Sequence, residues 1–179
     1  MSLVNGLPAH ILLVHFVIVL VPLTALALVA GAIWPAVARR MGIALPLLAL
    51  VTLLSVPLAS EAGEWLERHV ESNALVRQHA ELGDGLLPWA GGLFALAVGV
   101  WWTARRSGAA GAAEGTETAS APSSGVLRSA APVQIAAVVL SLVVAAGAVV
   151  DVYRIGDSGA KAAWQDGFSQ TAVGGHGED

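Results

Sequence analysis

The sequence predicts an all-α integral membrane protein, a bundle of four transmembrane helices, on three observations. Of its 179 residues, 56% are hydrophobic and only 12% are charged, whereas soluble domains carry about a quarter charged residues. Its mean hydropathy is +0.72. Four apolar stretches approach or exceed the about 20 residues that a helix needs to cross about 30 Å of hydrocarbon. We therefore expect one transmembrane domain over residues 1–165.

The predicted spans follow one another along the chain with polar connections between them. The first covers about residues 8–34, and no charged residue precedes Arg39. It lacks a basic segment at its start and is too long for a signal peptide, so we interpret it as a true span. The other spans cover about residues 43–60, 85–104 and 131–150, each between charged residues.

The connections differ in composition. Residues 107–124 are mostly Ala, Gly, Ser, Thr and Pro, which predicts a flexible linker. Residues 166–179 are polar and rich in glycine, which predicts a disordered tail. After span two we expect the helix to continue to about Glu71, turn at residues 72–73 and restart near Ala74, which makes an outer helical hairpin between spans two and three. We find no internal repeat.

The basic residues give the predicted orientation. Five of the nine Lys and Arg residues lie in the two connections on one side and four lie on the other side, where the termini are. The side with more basic residues is expected to be cytoplasmic. We therefore predict a multi-pass protein of the cell membrane with both termini outside the cytoplasm.

Several function classes are excluded by composition. A net charge of −4 gives no reason to expect a nucleic-acid partner. With no cysteine, the chain cannot form disulfides, thiolate zinc sites, Fe–S clusters or covalent c-type haem attachments. We find no catalytic motif of the G-x-S-x-G, Walker or G-x-G-x-x-G type, so the sequence does not decide whether the chain is an enzyme.

A candidate site gathers on the outer side of the predicted bundle. Ionisable groups at membrane depth usually face the interior and pair. His15 lies among apolar residues, about 7–8 Å deeper than His10 along the helix. Imidazoles that face each other from different helices can hold haem b, which predicts His15 and His79 as ligands with His10 beside them. Alternatively, His15 or His10 with His79 and Glu64 could bind a divalent metal, and Glu61 could support it.

These residues also have structural interpretations. His10 and His15 are about 140° apart around the helix, so both cannot easily face one small ion. Glu64 and Arg68 are four residues apart and could form an ion pair on a solvated helix face. Asp151 and Arg154, at the end of span four, are predicted to form a structural ion pair.

A stripe of small residues runs along span three. Gly91, Ala95 and Gly99 are spaced four residues apart. Such a stripe lets a neighbouring helix approach closely, and we interpret it as a packing feature.

Five short segments carry a resemblance to a known family. They are Leu-Pro-Ala-His at 7–10, Val-His-Phe at 14–16, Glu-Ala-Gly-Glu at 61–64, His-Ala-Glu-Leu-Gly-Asp at 79–84 and Arg-Ile-Gly-Asp-Ser-Gly-Ala-Lys at 154–161. Over nearly its whole length except the linker and the tail, the chain resembles a bacterial membrane family catalogued as domain of unknown function 2231.

The resemblance implies a four-span protein whose activity is unassigned. His10, His15 and His79 match histidine positions of that family. Some relatives are joined to redox modules such as c-type cytochromes, which implies a haem or electron-transfer role with other membrane redox proteins as partners.

Three hypotheses follow. The first is a redox-linked membrane protein that binds haem b or a divalent metal through the outer histidines. The second is a non-catalytic accessory or structural protein whose polar residues hold the helices together. The third is a small proton or ion transporter, which the lack of a carboxylate in mid-span disfavours. A homo-oligomer is compatible with all three.

Overall fold

The structure, a computed structural model, describes residues 3–4, 7–69, 74–114 and 124–164. Its helices are α1 to α6, with the bounds Ala9–Ile33, Pro35–Met41, Ala44–Glu67, Ala74–Asp84, Leu86–Glu114 and Ser124–Trp164. Before α1, strand β1 (Leu3–Val4) pairs antiparallel with strand β2 (Leu7–Pro8) over two residues each. The all-α prediction is confirmed.

Four segments of the structure are long and apolar enough to cross a membrane. They are Ala9–Ile33, Ala44–Glu67, Ala74–Ser107 and Pro132–Trp164, and the third of them combines α4 with most of α5. The predicted four-span architecture is therefore confirmed.

The spans form an antiparallel bundle in which each helix has two neighbours. Helix α1 packs against α3 and α6, and α5 packs against the same two helices from the other side. Small and branched apolar residues fill the centre, among them Val21, Leu28, Leu45 and Leu93. Other apolar side chains remain on the outside, such as Leu26, which is 71% exposed. Such an apolar exterior is what a lipid environment requires.

Buried hydroxyl groups join the first two spans near their middle. The side chains of Thr24 and Thr52 are hydrogen-bonded to each other at 2.7 Å, and both residues are fully buried. Thr52 Oγ1 also lies 3.0 Å from the carbonyl oxygen of Leu48. Since unsatisfied hydroxyl groups are costly in an apolar interior, this pair helps to fix α1 against α3.

The predicted helical hairpin is present between α3 and α4. Helix α4 begins at Ala74 as expected, while residues 70–73 lie outside the described residues. As predicted, this helix leads into span three, through the single turn residue Gly85, whose N–H donates to Leu82 O at 3.1 Å. Helix α4 packs mainly against α6. We call this end of the bundle, where α3, α4, the start of α1 and the last turns of α6 meet, the hairpin end.

Several boundaries differ from the prediction. Helix α5 continues to Glu114, into the predicted linker 107–124, and α6 already begins at Ser124. The alanines of this stretch favour helix, which explains the extension. The short helix α2, with proline at its first position, was not predicted. Residues 115–123 and the predicted tail 166–179 lie outside the described residues.

The glycines that contact a neighbouring helix are not those of the predicted stripe. A Cβ at Gly91 or Gly99 would have no atom of another described helix within 4 Å, so no helix of the described chain approaches the stripe closely at these two positions. The close approaches are at Gly92, next to Val144, and at Gly147, whose added Cβ would overlap the Trp89 ring. Gly92 faces α6 and Gly91 does not, because consecutive helical residues point in directions about 100° apart.

Candidate paired-histidine site

His10 joins the start of α1 to the end of α3. Its Nδ1–H donates to the carbonyl oxygen of Ala59 at 3.0 Å. The ring lies directly on the backbone of Gly63, where an added Cβ would be 3.0 Å from His10 Nδ1 and Cε1. Any larger residue at position 63 would push the ring away. The sequence of α3 thus provides both the acceptor and the space for this imidazole.

His79 makes the corresponding contact between α4 and α6. Its Nδ1 lies 3.1 Å from the carbonyl oxygen of Ile155 and 3.0 Å from Ser158 Oγ. The Ser158 hydroxyl itself donates to Ile155 O at 2.8 Å. The ring lies on Gly159, where an added Cβ would be 2.9 Å from His79 Cε1.

The same arrangement therefore occurs twice at the hairpin end. In each case the accepting carbonyl belongs to the residue four positions before the glycine, Ala59 for Gly63 and Ile155 for Gly159. Residues four apart lie on the same helix face. The sequence patterns gave no role to Ala59, Gly63, Ile155 and Gly159 and showed no repeat. A signal is nevertheless present, because an acidic residue and a small residue precede both glycines, in 61–63 and in 157–159.

The two imidazoles meet at the hairpin end. Their ring centres are 6.2 Å apart and the ring planes are nearly perpendicular, at 82°. Because a carbonyl oxygen can only accept a hydrogen bond, Nδ1 of His10 carries a proton. Nδ1 of His79 lies beside both the Ile155 carbonyl and the Ser158 hydroxyl, and it can donate to the carbonyl in the same way. In the neutral form of such a ring, Nε2 keeps a lone pair. We call His10 and His79 the paired-histidine site.

The Nδ1 contacts can be compared with those of metal-binding histidines. A ligating histidine usually donates its other ring N–H to a carbonyl or a carboxylate, which fixes the tautomer and the ring orientation. The ring-centre separation of 6.2 Å and the nearly perpendicular planes are those of an edge-to-face contact between two rings.

His15 lies apart from this pair. It is exposed, and its Nδ1 bonds the carbonyl oxygen of Ile11 in its own helix at 2.6 Å. The expectation that His15 faces His79 was wrong, because only one of two histidines five residues apart can point into the bundle, and that residue is His10.

The predicted carboxylates do not complete a metal site around the pair. Glu61 and Glu64 are exposed, and Glu64 lies 4.0 Å from Arg68, which is the ion pair expected from their spacing. Within the described residues, no group of three or more His, Asp or Glu side chains is placed to hold one metal ion. The donors that the structure brings together are thus the two imidazoles.

Asp151 differs from its prediction. Among the described residues the ion pairs are Arg68–Glu64 and Lys161–Asp157, so the expected pair of Asp151 with Arg154 is not formed. One carboxylate oxygen of Asp151 is buried without a hydrogen-bond partner in the described part of the chain, 3.6 Å from the position of a Cβ on Gly85. Asp151 thus lies against the α4–α5 turn, while the charge of Arg154 acts on it from beyond ion-pair distance.

Comparison with known proteins identifies the family. The profile of the predicted membrane protein family DUF2231 matches residues 6–172. The chain belongs to this family. No curated protein and no solved structure matches the chain. The match covers both halves of the paired-histidine site, so the site lies in the part of the chain that defines DUF2231 membership.

Proposed function

We propose that this DUF2231 protein is a redox-linked membrane protein whose paired-histidine site holds a metal centre. The centre is either the iron of haem b or a divalent metal ion, bound through Nε2 of His10 and of His79. His10 takes the place that the sequence suggested for His15, while Glu61 and Glu64 have no ligand role in this proposal.

One observation carries the proposal. Two imidazoles from different helices lie 6.2 Å apart, and each is oriented by a hydrogen bond from Nδ1–H to a backbone carbonyl. A metal that binds nitrogen requires an unprotonated ring nitrogen, and donation from Nδ1–H in both rings would leave Nε2 of each for that purpose.

The two kinds of centre predict different roles. Haem held by His10 and His79 would supply one-electron chemistry, which suits electron transfer with another membrane redox protein. With a divalent ion, two imidazoles leave coordination positions for water or a small ligand, and zinc, iron or manganese would suit such a site.

The proposal is tested by the cofactor content of the purified protein. The full chain is expressed with a haem precursor and separately in medium supplemented with zinc, iron and manganese, and then purified in mild detergent. We expect a Soret band or one equivalent of a metal, lost in His10→Ala and in His79→Ala but kept in His15→Ala. A colourless wild-type protein without stoichiometric metal would refute the proposal.

A second function, that of a structural accessory protein, is favoured by the same hydrogen bonds. They join α1 to α3 and α4 to α6 at the hairpin end. In that case His10→Ala and His79→Ala lower the unfolding temperature by breaking these contacts, and neither the wild type nor the variants bind metal or haem.

We also propose that the hairpin end faces the outside of the cell membrane. Five of the nine basic residues lie at the opposite end and four at the hairpin end, which supports this orientation. The chain has no cysteine, so a single Asp179→Cys substitution reports the location of the C-terminus. We expect a membrane-impermeant maleimide to label this variant in intact cells, and labelling only after lysis would reverse the orientation.

A further inference from the structure

A second site lies at the end of the bundle opposite the hairpin end. A cleft of about 210 Å³ separates α2 from the last apolar turns of α5. Its lining comes from α2 and its C-cap and from α5, namely Ala38, Arg39, Gly42, Trp101, Ala104 and Arg105. Ala38 and Ala104 are buried and small, which leaves the space between the two arginines open.

The backbone at Gly42 contributes to this geometry. Gly42 ends α2 with a φ of +53°, a conformation that side chains disfavour. Its N–H donates to Ala38 O at 3.0 Å, so the chain reverses directly into α3. This tight turn keeps Arg39 on the same side of the bundle as Arg105.

The arginines of the cleft are free of carboxylate partners within the described residues. The ion pairs found there, Arg68–Glu64 and Lys161–Asp157, involve neither of them. The guanidinium of Arg105 lies over the Trp101 ring at 5.6 Å from its centre. An aromatic face stabilises the cation without using its N–H donors, so these remain available to an anion.

We propose that this cleft binds the headgroup phosphate of an anionic phospholipid. Arg39 and Arg105 can donate to one phosphate from two elements, in the way that basic pockets between transmembrane helices hold lipid headgroups. An apolar surface continues from the cleft, because Ile43 directly follows Gly42 and Leu47 lies one helical turn beyond Ile43, and they are 60% and 51% exposed. An acyl chain can lie along this surface, whereas a free phosphate would make no use of it.

The test compares two double variants that remove the same charge from the same end of the bundle. The full chain in a non-ionic detergent is titrated with phosphatidylglycerol and, separately, with phosphatidylcholine, and bound lipid is counted by native mass spectrometry. In Arg39→Ala with Arg105→Ala we expect phosphatidylglycerol to bind about tenfold more weakly or worse. In the control, Arg40→Ala with Arg106→Ala, neither residue lines the cleft, and we expect less than about a twofold change.

A double variant that keeps the charge, and competition by inorganic phosphate, distinguish a lipid site from general electrostatic attraction. Arg39→Lys with Arg105→Lys retains the charge and the fold, and it is expected to bind with intermediate affinity because lysine lacks the planar fork of donors. Equal losses in the two alanine pairs, or equal binding of phosphatidylcholine, would show general attraction instead of a site. Displacement of phosphatidylglycerol by excess inorganic phosphate would show a phosphate site without lipid specificity and would overturn the proposal.

Discussion

At the scale of single residues, two glycines determine where the imidazoles lie. Gly63 and Gly159 allow the rings of His10 and His79 to rest on the backbone of another helix, within reach of a carbonyl one turn earlier. A side chain at either position would separate the ring from its acceptor. The orientation of each ring depends on that contact, and the proposed metal binding depends on this orientation.

Replacing either glycine should weaken the site without removing a ligand. In Gly63→Ala and in Gly159→Ala the new methyl group lies about 3 Å from the ring, so the ring shifts and its hydrogen bond lengthens. We expect metal or haem affinity to fall by about 10–100-fold, as for other losses of a partner that orients a ligand. Gly91→Ala is the matched control, since its Cβ would meet no other residue within 4 Å. An unchanged affinity in both variants would show that the glycines do not orient the rings.

The sequence could predict part of this site. It predicted that histidines on different helices meet at one end of the bundle, and that only one of His10 and His15 points inward. It could not predict which of the two points inward, because α1 is apolar on all sides and has no polar face to distinguish its inner side from its outer side. The glycine contacts depend on which helices are neighbours, and spacing along one helix does not contain that information.

At the scale of helices, specific side-chain contacts hold two pairs of neighbouring spans together. The Thr24–Thr52 hydrogen bond joins α1 to α3, and the Trp89 ring on Gly147 joins α5 to α6. Helix positions were predicted well because about 20 apolar residues in succession leave little choice. Helix ends were predicted less well, since the alanine-rich stretch after Ser107 and the turn at Gly85 depend on local propensity and on packing against α6.

The threonine pair should contribute a measurable coupling energy. In a double-mutant cycle of Thr24→Val and Thr52→Val, we expect a coupling of about 0.6 kcal/mol, and at most about 1.7 kcal/mol, as for other hydrogen bonds between transmembrane helices. The measurement is reversible unfolding in mixed detergent micelles. A coupling of zero would mean that each hydroxyl finds another acceptor when its partner is removed.

The contact of Trp89 with Gly147 should be sensitive to one methyl group. Because an added Cβ would overlap the ring, Gly147→Ala must displace Trp89 or separate α5 from α6. We expect a loss of about 1–3 kcal/mol in the free energy of unfolding, typical of overpacking. Gly99→Ala on the open face of α5 should cost nothing, and equal stability of the two variants would contradict the described packing.

At the scale of the whole molecule, the bundle consists of two similar halves. In each half one helix runs away from the hairpin end and the next returns to it, α1 with α3 and α4–α5 with α6. Each half contributes one histidine, and the two rings meet where the halves face each other. This arrangement makes the paired-histidine site a property of the fold as a whole, because each half contains only one of the two histidines. The sequence predicted four spans but not their pairing, since lipid-facing and buried residues are equally apolar.

The most direct test of this account is a titration of the metal-free protein with haemin and, separately, with Zn²⁺, followed by absorbance and by calorimetry. The wild type and the His15→Ala variant should bind one equivalent of one of these probes with the same affinity. The His10→Ala and His79→Ala variants should each bind it about 100-fold more weakly or not at all. Loss of binding in His15→Ala alone, or equal binding in all four proteins, would contradict the assignment of His10 and His79 as the metal ligands.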